Sequence, residues 1–377
     1  MSISYSSFIK PQKSIHEGMP ELNNSDSRTT SFFEFWPTQL IYLPVVLQWI
    51  LLSFRYRSLS LPLIANTSIP LAGMVGESKA CVLQLAGDIA TPYIAPFICL
   101  TKNTLPVENQ LNSALSKMQS ASMNFPVIAK PDIGCRGVGV KIITDAEILK
   151  EYLYSFPQET VFLLQKKIEY EAEAGIFYIR HPGQAQGTIS SITLKYSPYV
   201  TGDGEKTLRQ LIEQDPRASK ISDIYLSRHQ SKLNEVIPDN MAFRLSFAGS
   251  HSKGSIFRNG NCFITDDLIR VFDKISTDIE GFFYGRFDVR FECTEKLIQG
   301  KNFYILEING ASSEATHIWD RNTSLAEVYK TLFYQYRTLF QIGHINRKKG
   351  HTTPSLWRLL KAWRHESRLV KQYPETD

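Results

Sequence analysis

Residues 284–309 constrain this chain more than any other stretch. They read Y-G-R-F-D-V-R-F-E, then a polar turn, then F-Y-I-L-E-I-N-G. Side chains alternate across a strand, so Phe287, Val289 and Phe291 share one face while Arg286, Asp288, Arg290 and Glu292 share the other. The second run, 303–308, is apolar enough for a central strand, yet it carries Glu307 and Asn309 two residues apart and on one side. Gln299 and Gly300 lie near the middle of the connection, so antiparallel pairing predicts Asp288 opposite 307–310, within a residue or two of register. Two carboxylates and an amide oxygen then meet, a donor set that suits magnesium, which takes few carboxylates and completes its shell with water and substrate phosphates. The competing reading is an ion-paired sheet surface in which Arg286 and Arg290 hold Asp288.

At 377 residues, 43% hydrophobic and 12% aromatic, the chain has enough apolar mass for two or three cores. Its net charge of +5 does not indicate a nucleic-acid binder: residues 347–371 hold eight basic side chains against one acid, Glu366, a local +7 that leaves −2 for the rest. The five cysteines (81, 99, 135, 262 and 293) include no C-x-x-C pair, which points to a reducing cytoplasm. No basic-then-apolar leader opens the sequence. The most apolar run, 40–52, is interrupted by Pro44 and Gln48 and is shorter than the ~20 residues of a spanning helix. It is expected to be a buried element, with an interfacial helix as the alternative.

Composition divides the chain into a mobile polar arm (1–30), a small N-terminal packing unit (31–75), a main domain (76–342) and a basic tail (343–377). Near the start of the main domain Glu77, Ser78 and Lys79 open a helix, where a lysine opposes the helix dipole unless an anion offsets it. Residues 125–130 form a strand ending in Lys130, followed by D-I-G-C-R-G-V-G-V and a second strand over 140–143. A helix follows, with Thr144 and Glu147 as its expected capping box. The strand–loop–strand unit is either a phosphate cradle with Lys130 as point charge or a plain hairpin turn. It is neither a P-loop nor the dinucleotide fingerprint. Residues 161–168 read as a buried strand, with Glu169, Glu171 and Glu173 beyond its end. Those glutamates suit either ribose hydroxyls or an edge that discourages aggregation.

With these segments in view, the sequence resembles the ATP-grasp ligases. E-S-K-A-C-V-L-Q-L-A-G-D-I-A-T-P and F-P-V-I-A-K-P-D-I-G-C-R-G-V-G-V are similar to the opening half of D-alanine:D-alanine ligases. V-T-G-D-G-E-K-T-L-R-Q-L-I resembles a stretch of cyanophycin synthetases, and G-R-F-D-V-R with I-L-E-I-N-G resembles the family's magnesium signature. The resemblance spans about 76–341 and implies an α+β ATP-grasp fold, two subdomains clamping a nucleotide, with a lid over about 121–170. It implies phosphate-binding roles for Lys79 and Lys130, and a lid role for Gly134, Gly137 and Gly139. Gln165, Lys166, Lys167 and Ile168 match the adenine-lining strand end and Glu173 the ribose glutamate. Asp288, Glu307 and Asn309 match the metal ligands, and Arg286 an arginine near the transferred phosphoryl group. Gln165 stands where a glutamate is usual, and Cys135 and Arg136 replace small hydroxyl residues of the D-alanine ligase lid.

The implied activity is ligation of a carboxylate to an amine of an amino acid or peptide. It would use ATP and Mg2+ (Mn2+ as alternative), pass through an acyl phosphate and release ADP and phosphate. A phosphotransferase and a non-catalytic nucleotide-binding regulator are the rival readings. No Ser-His-Asp or Cys-His constellation is recognisable, and acyl-phosphate chemistry needs none. Arg180, at a strand end, is a candidate for gripping a substrate carboxylate, and His251 and Lys253 in G-S-H-S-K-G are candidates for an anionic substrate or a plain loop. In the tail, Leu356, Leu359, Leu360 and Trp363 at helical spacing among basic residues predict an amphipathic helix. It would lie on a membrane, on a partner or on its own domain.

Overall fold

The computed structural model describes residues 9–22, 36–247, 249, 254–374 and 376. His251 and Lys253, and most of the arm expected over 1–30, lie outside the described residues. The described part of that arm is docked: β1 (Ile9–Pro11) pairs antiparallel with residues 241–243. Lys10 forms an ion pair with Glu171, and the His16 ring nitrogen lies 3.0 Å from the Ser197 carbonyl. Next comes α1 (Thr38–Tyr56), ended by Arg57 in the left-handed region at φ 51°. Ile41, Val45 and Leu52 are buried, but Leu40, Leu43, Val46, Leu47, Ile50, Leu51 and Phe54 are exposed. The run 40–52 is therefore not the buried element expected: it covers the domain with one flank only.

The first sheet follows α2 (Lys79–Gln84), which Ser78 caps by accepting from Cys81 N. Its chain order is β2 (Phe97–Lys102), α3 (Val107–Ser120), β3 (Val127–Pro131), β4 (Lys141–Ile143), α4 (Ala146–Ser155) and β5 (Thr160–Lys166). The spatial order is β2-β5-β3-β4, entirely antiparallel, spanning more of the chain than the 121–170 expected for a lid. The apolar stripes of the two long helices, Leu111, Ala114 and Met118 with Leu149, Tyr152 and Leu153, bury one face of it. The cap of α4 is Asp145, which accepts from Ile148 N at 3.0 Å, in place of the expected Thr144–Glu147 box. Thr144 instead donates to Asp145.

The second half adds β6 (Ala172–Ile179), β7 (Thr188–Tyr196), β8 (Tyr199–Thr201), α5 (Leu208–Gln214), α6 (Ser222–Arg228), β9 (Met241–Arg244), β10 (Ile256–Asn259) and α7 (Asp266–Asp278). It closes with β11 (Tyr284–Phe291), α8 (Thr294–Leu297), β12 (Phe303–Asn309), α9 (Leu325–Lys348) and α10 (Leu356–Val370). Five strands form an antiparallel sheet in the order β10-β7-β6-β11-β12, and β1-β9-β8 make a small third sheet. Phe287, Val289 and Phe291 are fully buried against Leu268, Phe272 and Ile275 of α7, as the alternation predicts. The opposite, polar face of the five-stranded sheet is left to meet the four-stranded one. The chain is thus α+β, built on antiparallel sheets, as the expected fold class has it.

Candidate functional site

One row of residues crosses the five-stranded sheet at the polar face. Asn259 pairs with Thr193, Thr193 with Gly175, Gly175 with Asp288, and Asp288 with Glu307. Arg286 and Asn309 pair in the adjacent row. The register expected for Asp288 is met. A β-bulge at Leu306 makes it possible: the ladder steps from Asp288↔Glu307 to Val289↔Ile305, so Leu306 has no partner. The extra residue lets Ile305 and Ile308 both enter the core while Glu307 stays in the cleft. It also frees the Leu306 carbonyl, which accepts from Lys130 Nζ at 2.9 Å and from Gln165 Nε2 at 3.3 Å. The two sheets meet there.

Gly175 shows how tightly the row is built. A Cβ at that position would lie 2.9 Å from Arg286 Cδ and 3.4 Å from Asp288 Oδ1. In the space so left, Arg286 grips Asp288 through Nε at 2.7 Å and Nη2 at 3.1 Å, and its Nη1 donates to the Glu314 carbonyl at 3.2 Å. Lys195 Nζ lies 2.9 Å from Asp288 and 3.2 Å from Glu173. Asn309 Nδ2 donates to Asp288 at 3.2 Å. Burial alone would raise the Asp288 carboxyl, but Arg286 and Lys195 hold it well below the usual carboxylate range. Arg290, expected beside Asp288, turns instead to the carbonyls of Ile168 and Tyr170 at 3.2 and 3.1 Å, with Glu173 at 3.9 Å.

Lys130 differs from its neighbours. Its ammonium is buried and held by two neutral oxygens, Gln165 Oε1 at 2.9 Å and the Leu306 carbonyl. Burial lowers its pKa to about 8. A buried cation with only neutral oxygens in hydrogen-bond reach suits an anionic ligand. Lys79 is the first residue of α2, as expected; its Nζ donates to the Gly134 carbonyl at 2.6 Å and stands 3.7 Å from Glu307. It therefore ties the glycine-rich loop to the row. Glu77 is pushed up to about 8, chiefly by burial and then by Glu307, so it is largely protonated at neutral pH.

The glycine-rich loop carries a cover that the sequence did not suggest. Tyr373, just beyond α10, donates to the Ile133 carbonyl at 2.6 Å and stacks on Phe156 with centroids 5.4 Å apart. Thr376 Oγ1 accepts from Gly139 N at 3.0 Å and donates to the Gly137 carbonyl at 2.9 Å. Farther back, Glu366 of α10 accepts from Gly76 N at 2.8 Å. The helix docks through Ala362 and Leu369, whereas Leu356, Leu360 and Trp363 of the predicted stripe are exposed.

The remaining candidates are distributed less tightly. Gln165 reaches the junction, but Lys166 is exposed and Lys167 pairs with Glu169 at 3.1 Å. Ile168 is buried, with its carbonyl taken by Arg290. Glu173 faces Lys195, and Gly249 lies against it. Arg180 sits five residues beyond Gly175, over the Phe283 ring at 5.1 Å, and is not brought to the row. Sequence reading missed Lys195 and Thr193 on β7, Glu77 and Asp132. Asp132 caps the start of α2, accepting from Ser78 Oγ and Ala80 N at 2.9 Å each. Ser191 Oγ and Thr193 Oγ1, on the same polar face, are buried without a hydrogen-bond partner.

Two carboxylates and an amide share one sheet face, the donor types a magnesium shell draws from protein, and both Asp288 oxygens already accept from Arg286, Lys195 and Asn309. Among the described residues no group of three or more His, Cys, Asp or Glu encloses a metal by itself, so ligand phosphates and water would have to complete the shell.

No protein-family model and no curated protein matches the chain. Solved structures do. A D-alanine–D-alanine ligase from Bacillus anthracis aligns over 74% of this chain and 73% of its own at 14% identity, with a TM-score of 0.39. A bifunctional glutathione synthetase from Pasteurella multocida aligns over 68% of this chain at 13% identity and a TM-score of 0.35. This chain spans 36% of that protein's length. A D-cycloserine synthetase aligns over 70% of this chain and 69% of its own at 10% identity and a TM-score of 0.36. These are distant likenesses of chain trace, and they carry no substrate or residue role to this protein.

Proposed function

We propose that this chain is an ATP- and magnesium-dependent ligase that joins a carboxylate to an amine of an amino acid or peptide through an acyl phosphate, with release of ADP and phosphate. The observation that carries the reading is Lys130, a buried ammonium held only by neutral oxygens, reaching from one sheet to the bulge that presents Glu307 beside Asp288 on the other. A polyanion with a bound cation satisfies both halves of that arrangement.

When bound, ATP supplies the phosphoryl group that activates the carboxylate, and magnesium screens its oxygens. Lys79 and Lys130 hold phosphate oxygens from the four-stranded side. Asp288, Glu307 and Asn309 would hold the metal from the five-stranded side. Arg286 is anchored on Asp288 and on the Glu314 carbonyl, so it would meet developing charge on the transferred group without rearranging. Ser191 and Thr193 supply unpaired hydroxyls along the same face. All five cysteines are free, which supports a reducing cytoplasmic setting.

The test is product analysis with ATP, magnesium and pools of amino acids, with and without hydroxylamine, for wild type and Asp288→Asn. ADP, phosphate and a hydroxamate from the wild type alone support the ligase. A stable phosphorylated product sinks it in favour of a phosphotransferase. Nucleotide binding without turnover in any pool favours a regulator.

A further inference from the structure

Helix α1 is long and apolar enough, over Gln39–Tyr56, to cross a membrane, yet its surroundings rule out a crossing. The chain before it is fastened to the same body as the chain after it, because β1 pairs with β9 while α1 itself packs on α9. Tyr56 stacks on Phe340, Trp49 meets the same ring edge-on, and Gln48 Nε2 donates to the Phe333 carbonyl at 2.9 Å. A single crossing would put β1 and β9 on opposite sides. The helix is thus held flat on the body, and its free face looks outward.

That free face is apolar along its whole length. Leu40, Leu43, Leu47, Ile50 and Phe54 recur at helical spacing; Leu47 is 56% exposed, Leu51 69% and Phe54 77%. Trp36, of a residue type that favours membrane–water interfaces, stands at its start. Toward its C-terminal end the rim is cationic, and Glu327 in the first turn of α9 is the one acid of that helix. No Asp or Glu occurs from residue 36 to 76 or from 343 to 365. Arg347 at the end of α9 donates to the Tyr56 carbonyl at 3.0 Å, which brings Arg347, Lys348 and Lys349 to the end of α1 that carries Arg55 and Arg57. Between α1 and α9 runs a groove lined by Gln48, Leu51, Arg55, Arg337 and Gln341. Neither Arg55 nor Arg337 has a carboxylate partner among the described residues.

We propose that α1 is an in-plane membrane anchor: its apolar face enters the acyl boundary of an anionic bilayer while Arg55 and Arg337 take a lipid phosphate in the groove. An apolar face that ends in a cluster of cations is the pattern of a helix that lies on a membrane. The inference does not depend on the ligase reading.

The test is co-sedimentation of the full-length protein with phosphatidylcholine vesicles, with and without phosphatidylglycerol. The variants are Leu47→Glu with Phe54→Glu, and Arg55→Gln with Arg337→Gln. All four side chains are exposed, and circular dichroism melts verify that the variants stay folded. Wild type is expected to pellet with the anionic vesicles and to be released by salt. The glutamate pair should weaken binding about tenfold or more. The glutamine pair should weaken it about fivefold per cation and flatten the salt dependence. Failure of wild type to bind anionic vesicles, or undiminished binding by the glutamate pair, overturns the proposal. So does a concentration-dependent dimer that the glutamate pair dissolves while no variant binds vesicles, which would assign the face to a second copy.

Discussion

Lys130 on β3 donates to the main-chain carbonyl of Leu306 on β12 at 2.9 Å, so one side chain joins the two sheets across the cleft. Burial brings that lysine to about 8. A phosphate ligand favours its charged form, so ATP affinity should be level below pH 8 and fall above it, by up to about tenfold per pH unit. Lys130→Arg, which stays charged, should abolish the dependence, and Lys130→Ala should weaken binding about 10–100-fold at pH 7. Calorimetric titration across this range is the check.

Asp288 and Glu307 face each other in the sheet but are bound into it differently. Asp288 neutralises Arg286 and Lys195, all three buried or nearly so, whereas Glu307 is half-buried and its one ion pair among the described residues is with Lys79 at 3.7 Å. Asp288→Asn should therefore lose turnover and also cost about 3–5 kcal/mol in urea unfolding, because two cations lose their partner. Glu307→Gln should lose turnover by about 100-fold or more with stability nearly unchanged. Equal destabilisation by both would contradict this division.

Gly175→Ala supplies a steric probe of the same row. The added methyl meets Arg286 Cδ at 2.9 Å, and Arg286 has little room to move while it grips Asp288. A loss of about 1–3 kcal/mol is expected, with turnover reduced because Arg286 is displaced. Alanine at Gly204, where the nearest atom is 3.6 Å away but φ is +77°, is the control for backbone strain without steric conflict at the site.

Thr376 and Tyr373 lie on the loop that contains Gly137 and Gly139, and Thr376 takes the Gly139 N–H. Deleting residues 371–377 should free that amide, speed ATP association and raise proteolysis within 132–139. Stopped-flow binding with limited proteolysis measures both. Unchanged association with unchanged cleavage would mean that the contact is inert.

Much of this was readable beforehand. The Asp288–Glu307 register followed from two-residue periodicity and a short connection, and Lys79 at the head of a helix followed from the local pattern at Ser78. The bulge at Leu306 did not, because an apolar residue in an apolar run carries no mark of being unpaired. Lys195 and Thr193 lie in I-S-S-I-T-L-K-Y, where alternation predicts a strand but not which polar residue will face Asp288. The exposure of α1 was hidden for a related reason: hydrophobicity shows that a helix seeks cover, not which flank obtains it. Contacts of Tyr373 and Thr376 with residues more than two hundred positions away follow from assembly alone.

His229 sets an acid limit. Its ring nitrogen lies 3.0 Å from the Leu245 carbonyl, and burial lowers its pKa from an ordinary 6.5 to about 4; His16 on the docked arm is lowered to about 4 by the same cause. Both are neutral in the fold and protonate more readily when it opens. Stability is therefore complete above pH 6.5 and lost as pH falls from there toward 4, by about 1–3 kcal/mol per histidine. Melting curves of wild type and His229→Gln between these limits should converge at low pH.

The unpaired Leu306 makes β12 unequally tolerant of changes in length. Residues added at the 298–302 turn would be absorbed in solvent and leave every ladder partner in place. Removing Leu306 alone would close the bulge with Ile305 still opposite Val289 and Glu307 still opposite Asp288, and would remove the carbonyl that receives Lys130 and Gln165. One codon lost at the bulge would thus leave the facing carboxylates in register and break the tie between the two sheets, whereas residues gained at the neighbouring turn would disturb neither.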